Sequence, residues 1–269
     1  MSGRRRKSKV LEKLKRREQR YERERRMLEK DLSSERAVLE EVFDRSTLMT
    51  IYYLMNKGII DEIYGSVKAG KESKLYWGKD KEGNNLAIKI FLTVSAEFKK
   101  GMLVYIQGDP RFTRVRRDTR SLIYLWTQKE FKNLHSAYEA GVKVPKPIAV
   151  RRNVLIMEFI GENGISAPLL REIPLKNPDR TYRQILANVK RLYRKAGLVH
   201  ADLSEYNVMI WKGKPVLFDV SQAVSREHPM ASEFLRRDLE NISRYFKRLG
   251  VAVPPAEELF KKVTKSVKS

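Results

Sequence analysis

The chain contains no cysteine. That absence removes disulfides, thiol nucleophiles and cysteine-ligated zinc together. It fits a reducing compartment, and a cytoplasmic location is expected. Long apolar runs are missing too. The longest, from Val154 to Ile160, is broken by Glu158 and falls far short of the ~20 residues of a spanning helix, so no membrane partner is expected. The N-terminus is basic but carries no apolar stretch behind it, so no secretory leader is expected. Acidic residues are scarce: 33 Asp and Glu stand against 56 Lys and Arg, for a net charge of +23. Solubility does not need that much charge. A polyanionic partner is implied, and nucleic acid fits best, because phosphate neutralisation with counterion release rewards dense Lys and Arg. The plainer alternative is a charged surface that only keeps the protein dissolved. The 42% apolar content and 269 residues suffice for one large domain or two lobes with real cores.

Residues 1–36 stand apart. They hold 15 Lys and Arg and 7 Asp and Glu, a net of +8. Glu and Arg recur at helical spacing with few apolar residues between, so a basic, largely exposed helical extension is expected over 1–45. A helix follows from Ser46 to Lys57, stopped by Gly58. Three strands come next, Asp61 to Ser66, Lys74 to Trp77 and Leu86 to Leu92, the last with alternating Leu86, Ile88 and Ile90. Residues 94–120 are basic and poorly periodic and read as a flexible loop. Ser121 to Ala140 is a helix with Leu122, Leu125, Trp126, Phe131, Leu134 and Tyr138 along one side. Pro145 and Pro147 precede another strand, Val154 to Ile160. The proline-rich stretch from Gly161 to Asp179 is the expected lobe boundary. Beyond it come helices from Thr181, Pro229 and Pro255, with short strands at Leu198–Val199, Val208–Trp211 and Pro215–Asp219. No internal repeat is visible.

The order of polar residues on these elements carries the chemistry. A strand holds Ala87-Ile88-Lys89, and a later helix holds Glu130. Then comes His200-Ala201-Asp202-Leu203-Ser204-Glu205-Tyr206-Asn207, an H-x-D-L-x-x-x-N pattern. Twelve residues after Asn207, Asp219 ends an apolar strand. These are the parts of a protein-kinase signature, in its order. Lys89 sits mid-strand among apolar neighbours and needs a partner. It would meet the α- and β-phosphates of ATP and Glu130. Asp202 is the candidate base or positioner for the attacking hydroxyl or water. Asn207 and Asp219 supply oxygen ligands for Mg²⁺ or Mn²⁺. His200 reads as a buried structural histidine that holds the loop. Backbone groups of Glu158 and Ile160 would meet the adenine edge, with Met157 behind the ring.

Gly65 to Ser73 joins the first two strands. Its small residues let backbone N–H groups approach phosphate oxygens, and Lys68 and Lys71 add charge. The three-glycine pattern of ordinary kinases is absent. Gly65 to Lys71 also matches the start of a Walker A sequence, G-x-x-x-x-G-K. However, Glu72 stands where Ser or Thr should ligate the metal, and strand follows where a helix must open.

These segments, with Lys68-Ala69-Gly70-Lys71-Glu72-Ser73, Trp126-Thr127-Gln128-Lys129-Glu130-Phe131, Phe218-Asp219-Val220-Ser221-Gln222-Ala223 and His228-Pro229-Met230-Ala231, resemble the RIO family of atypical serine/threonine protein kinases. The likeness is to its first subfamily, of archaeal type, and spans roughly residues 46–250. It implies an α+β, bilobal protein-kinase-like fold, with a β-rich N-lobe over 46–160 and a mainly helical, trimmed C-lobe over 161–269. It implies ATP and a divalent metal, with Lys89, Glu130, Asp202, Asn207 and Asp219 in the roles above, and with Ser66, Lys68 and Lys71 on or near the phosphate-contacting loop. It also implies a role in small ribosomal subunit maturation, so the subunit precursor, its rRNA and a protein substrate are expected partners. A metal-binding aspartate, here Asp219, can itself become phosphorylated in such proteins. Ser221 stands where kinases usually carry the glycine of D-x-G. Only ten positions separate Asp219 from Pro229, and no Ala-Pro-Glu motif occurs. An extended activation segment is therefore missing, and water or the protein itself is a more natural acceptor than a docked peptide. Thr113, Thr119 and Ser121 are candidate autophosphorylation sites.

Overall fold

The computed structural model describes residues 43–70, 72–92, 96–112 and 118–265. The expected charged helix over 1–36 lies outside them, as do Lys71 and Thr113. The chain divides into two compact units after Gly58. In the first, helix α1 (Arg45–Asn56) starts at Asp44, whose side chain accepts the Thr47 N–H at 2.8 Å. That bond satisfies one of the donors a helix start leaves open. Leu48, Ile51, Tyr52 and Leu54 are buried along it.

The second unit opens with an antiparallel sheet. Its strands are β1 (Glu62–Ala69), β2 (Ser73–Lys79), β3 (Asn85–Phe91), β4 (Pro147–Arg151) and β5 (Val154–Glu158), in the order β1-β2-β3-β5-β4. Asp80 builds the β2–β3 turn by accepting the N–H groups of Glu82 and Asn84, as Asx turns do. On β3, Leu86, Ile88 and Ile90 point to one face and are buried, which leaves Lys89 on the other. Strand β2 begins at Ser73, two residues past Lys71, so the Walker A reading fails on geometry as well.

Two expectations need correction. The stretch from Gly65 to Ser73 is not one glycine-bearing loop. Strand β1 runs on to Ala69, with register shifts between Ile63 and Ser66 and between Ser66 and Lys68. Such bulges absorb a glycine inside a twisted strand, and the connection itself is only Gly70 to Glu72. The stretch 94–120 is not a plain loop either. Helix α2 (Ala96–Val104) and the turns after it bury Met102, Ile106 and Phe112 against Phe91, Leu122, Ile123 and Trp126. Lysines and Gly101 dilute that apolar pattern in the sequence. The prolines likewise hide β4, an edge strand whose register slips between Pro147 and Ala149, where a missing N–H is tolerated.

Helix α3 (Thr119–Glu139) lies between these layers and starts at Asp118, which accepts the Ser121 N–H. The connector after β5 folds into a small hairpin, β6 (Gly161–Glu162) with β7 (Ile165–Ser166). Gly164 turns it at φ +76°, and a Cβ there would stand 2.7 Å from the Trp77 ring. The rest is mainly helical: α4 (Pro178–Arg194), α5 (Ala231–Arg248) and α6 (Ala256–Thr264). Tyr182, Ile185, Val189 and Leu192 of α4 pack with Phe234, Leu235, Leu239, Ile242 and Phe246 of α5. Each such side chain contributes ~1.5–3 kcal/mol on burial. The same core takes in Leu134 and Ala137 of α3 and Leu155 of β5, so sheet and helices share it. Two short ladders, β8 (Leu198–Val199) with β11 (Val224–Ser225) and β9 (Val208–Trp211) with β10 (Lys214–Leu217), pin the loops 200–207 and 218–223. No helix among the described residues is long and apolar enough to cross a membrane.

Candidate active site

Strand β3, helix α3 and the loop after β10 converge on one amine. Lys89 Nζ lies 2.9 Å from both carboxylate oxygens of Glu130 and 3.0 Å from Oδ1 of Asp219. The Glu130 side chain is 1% exposed and that of Lys89 12%, while Asp219 is 42% exposed. Burial works against the charge on Lys89, but Asp219 and Glu130 outweigh it and raise its pKa. Burial also pushes Asp219 up, yet the Lys89 ammonium prevails and holds that carboxyl below its ordinary range. Both groups are therefore charged at neutral pH. Asp219 sits in left-handed backbone at φ 55° and accepts a 3.0 Å bond from Ser221 Oγ.

The loop after β8 is tied to the same place. His200 Nε2 is 3.2 Å from the Phe218 carbonyl, and the Phe218 N–H donates to Asn207 O at 3.1 Å. His200 is buried, as expected of a structural residue. Burial depresses its pKa to about 4. Ala201 takes φ 66°. Asp238, on α5, holds that strained turn by accepting the N–H groups of Ala201 and Leu203, each at 2.8 Å. Asp202, between them, presents Oδ2 to Asn207 Nδ2 at 3.0 Å and to Gln222 Nε2 at 3.4 Å. Burial first, and the nearby Asp219 second, raise the Asp202 carboxyl above its usual range. A carboxylate whose pKa is raised is the stronger proton acceptor.

A cavity of about 340 Å³ opens over Lys89 and is lined by Lys68, Gly70, Glu72, Ser73, Leu75, Glu130, Met157, Phe218 and Asp219. Lys68, Lys89, Glu130 and Asp219 thus face one space. Ser66 is exposed on β1 and does not line it. Glu158 and Ile160 border a different cavity, with Trp211 and Lys214. The Glu158 N–H is spent on Lys146 O, and Ile160 O accepts the Ala167 N–H, both at 2.8 Å. The Glu158 carbonyl and the Ile160 N–H enter neither bond. Among the described residues, no group of three or more His, Cys, Asp or Glu could hold a metal. The oxygen donors of Asn207 and Asp219 suit a hard cation only if phosphate oxygens complete its shell, which is how Mg²⁺ is usually bound.

Several residues of this site escape a linear reading. Gln222 acts by donating to Asp202 from the loop after β10, and Asp238 by holding the backbone on either side of Asp202 from α5. Glu72 faces the cavity, and partial burial and then Asp219 raise its carboxyl. Only its place in the Lys68–Ser73 segment hinted at that.

Residues 74–259 match the RIO domain. The chain belongs to the RIO family. Within this family of atypical serine/threonine kinases it sits with the first subfamily. It is 42% identical over 227 residues to the RIO-type serine/threonine-protein kinase Rio1 of Haloferax volcanii, covering 84% of this chain and 77% of that one. The Rio1 of Methanocaldococcus jannaschii is 39% identical over 231 residues, with coverage of 86% and 77%. Human RIO1 is 38% identical over 235 residues, but the match spans only 41% of its length. Among solved structures, the Rio2 kinase of Chaetomium thermophilum has a TM-score of 0.63 at 25% identity, covering 81% of this chain and 68% of that one. The same kinase in an ADP/Mg²⁺-phosphoaspartate complex gives 0.62 at 24%, covering 82% and 67%. The RIO fold, α+β with a β-rich N-terminal half and a helical C-terminal half, accounts for the architecture described above.

Proposed function

We propose that this RIO-family chain uses ATP with Mg²⁺ or Mn²⁺ for phosphoryl transfer, as an atypical serine/threonine kinase with autophosphorylation activity, ATPase activity or both. One observation carries this reading: Glu130, Lys89 and Asp219 form a chain of contacts no longer than 3.0 Å at the mouth of a cavity. In this reading Lys89 binds the α- and β-phosphates and Glu130 orients it. Asn207 and Asp219 would hold the cation, whose positive charge would offset that of the transferring group. Asp202 receives the proton of the attacking hydroxyl or water. Lys68 and Lys71 flank the phosphates, and the backbone of Glu158 and Ile160 meets the adenine. Residues 46–160 and 161–269 serve as the two lobes.

The acceptor is water or the protein itself, because so little chain lies between Asp219 and Ala231, where α5 begins. Thr113, Thr119 and Ser121 are hydroxyl candidates. A carboxylate oxygen of Asp219 can also take the γ-phosphoryl group. The bridging P–O bond then breaks, ADP leaves, and the acyl phosphate is later hydrolysed. We infer from the RIO resemblance that this work serves maturation of the small ribosomal subunit, and the net charge of +23 supports rRNA as the polyanionic partner.

The test is mass spectrometry and ATP turnover after incubation with ATP and Mg²⁺. Wild type should carry acid-stable Ser or Thr phosphate or a labile acyl phosphate. Asp202→Ala and Asp219→Ala should each lose ~10²–10⁴-fold in rate. Unchanged turnover and labelling in both variants would sink the proposal. The charge favours a second reading, an RNA-binding assembly factor gated by ATP occupancy. Nucleotide binding without turnover, together with salt-sensitive RNA affinity, would select it.

A further inference from the structure

Lys129 is adjacent to Glu130 on α3 but has no part in the cavity. Its side chain is completely buried, and it forms no ion pair among the described residues. Instead Nζ donates to two backbone carbonyls, Ser221 O at 2.9 Å and Ala223 O. One turn further along α3, the equally buried Asn133 donates from Nδ2 to Val220 O at 2.8 Å and Ala223 O at 2.9 Å. Every one of these acceptors belongs to the short stretch after Asp219. Val220, Ser221 and Ala223 are themselves buried, so their carbonyls have no water to turn to and need donors from the protein. Burial first, then the Arg111 guanidinium, push the Lys129 amine down to about 7. A neutral amine still has two N–H groups to donate.

The grip extends outward. Arg111 Nη1 donates to Asn133 Oδ1 at 2.8 Å, and Arg111 also clasps Asp109 at 2.6 Å through Nη2. Asp109 in turn accepts the Ser225 N–H at 3.2 Å. The turn after α2 therefore holds Asn133 in place and touches the far end of the same stretch.

We propose that Lys129 and Asn133 are positioning residues that fix the backbone from Val220 to Ala223 and thereby aim the Asp219 carboxylate. This rests on the phosphoryl-transfer reading above. Helix α3 then grips Asp219 twice, through Glu130 and Lys89 at its side chain and through Lys129 and Asn133 at the backbone that follows. The left-handed conformation of Asp219 persists only where its surroundings over-determine it, and this double grip does so. The four donated bonds replace what a long activation segment supplies in ordinary kinases. If so, nucleotide affinity and metal use separate. The Lys89–Glu130 contact survives loss of Lys129, whereas the metal-side carboxylate loosens.

The experiment compares the full chain with Lys129→Met and Asn133→Ala. ATP affinity is measured without metal, and turnover across a Mg²⁺ titration. Metal-free affinity should stay within about twofold, while half-saturating Mg²⁺ should rise about 10–100-fold and kcat should fall, as when the partners that orient metal ligands are removed. A Mg²⁺ curve and kcat equal to wild type in a folded variant would overturn the proposal. If neither variant folds, amide hydrogen exchange on wild type decides. Residues 220–225 should be protected as strongly as α3 before nucleotide is added, and rapid exchange there would refute the clamp. Absence of turnover in wild type would fail the phosphoryl-transfer reading alone, because the exchange measurement still tests the grip.

Discussion

Two buried residues of the site titrate in opposite senses. His200 has its pKa depressed from 6.5 to about 4, and its Nδ1 is buried without a hydrogen-bond partner among the described residues. Between those values the unfolded chain binds a proton that the folded one refuses. Its contribution, on the order of 3 kcal/mol, is present above pH 6.5 and is lost as pH falls towards 4. Asp238 has its pKa raised by burial from 3.8 to about 7. Here the folded chain keeps a proton that the unfolded one has released, so stability is lost as pH rises through that window. The two slopes oppose each other, and wild type should vary little between pH 4.5 and 6.5 from this source. His200→Gln should therefore become less stable with rising pH. Asp238→Asn should become more stable with rising pH, and should also lose ~1–3 kcal/mol throughout, because one of the Ala201 and Leu203 N–H groups loses its acceptor. Denaturation midpoints at pH 4.5 and 6.5 check both, and parallel shifts in the two variants would refute the assignment. At this scale the sequence was informative where chemistry imposes spacing. H-x-D-L-x-x-x-N placed Asp202 and Asn207 in one loop, and their side chains bond at 3.0 Å. Lys129, Asn133 and Asp238 were not legible, because a polar residue in a helix reads as exposed. What buries them is the need of backbone groups 35 or more residues away.

The elements that a linear reading recovered are those with clean periodicity. The alternation of Leu86, Ile88 and Ile90 marked β3, and the apolar stripe of α3 marked a helix, with ends displaced by a few residues. The elements that it lost are short or interrupted. Strand β4 hides behind Pro147, and α2 hides behind Gly101 and its lysines. Both are decided by packing: α2 exists because Met102 and the following Ile106 have Trp126 and Leu122 to cover. This makes the segment more than a surface loop. Met102→Ala and Ile106→Ala, at 1% and 0% exposure, should each cost ~2–5 kcal/mol and lower the melting temperature. Loop residues with no packing role would cost almost nothing. A thermal shift series across 96–112 separates the cases. An unchanged melting temperature in both variants would return the segment to the loop that its composition suggests.

Across the whole molecule the positive charge is broadly spread. Residues 1–36 contribute +8 of the +23, so +15 belongs to the remainder. A polyanion that touched only the basic extension would lose nearly all its salt dependence when that extension was removed. One that also lies along the folded part would keep most of it. Each single-strand phosphate neutralised adds ~0.7 to the slope of log K against log salt. Deleting residues 1–36 should therefore flatten the slope for a single-stranded RNA without abolishing it. ATP turnover should change little, because Lys89, Glu130, Asp202, Asn207 and Asp219 all lie in the unit that begins at Ile59. Titration of RNA at several salt concentrations, with full-length and shortened chains, reads both quantities at once. An unchanged slope would remove the extension from RNA binding, and a slope of zero would remove the folded part. Either result would also fix which portion of the charge serves the polyanion and which only keeps a basic protein dissolved.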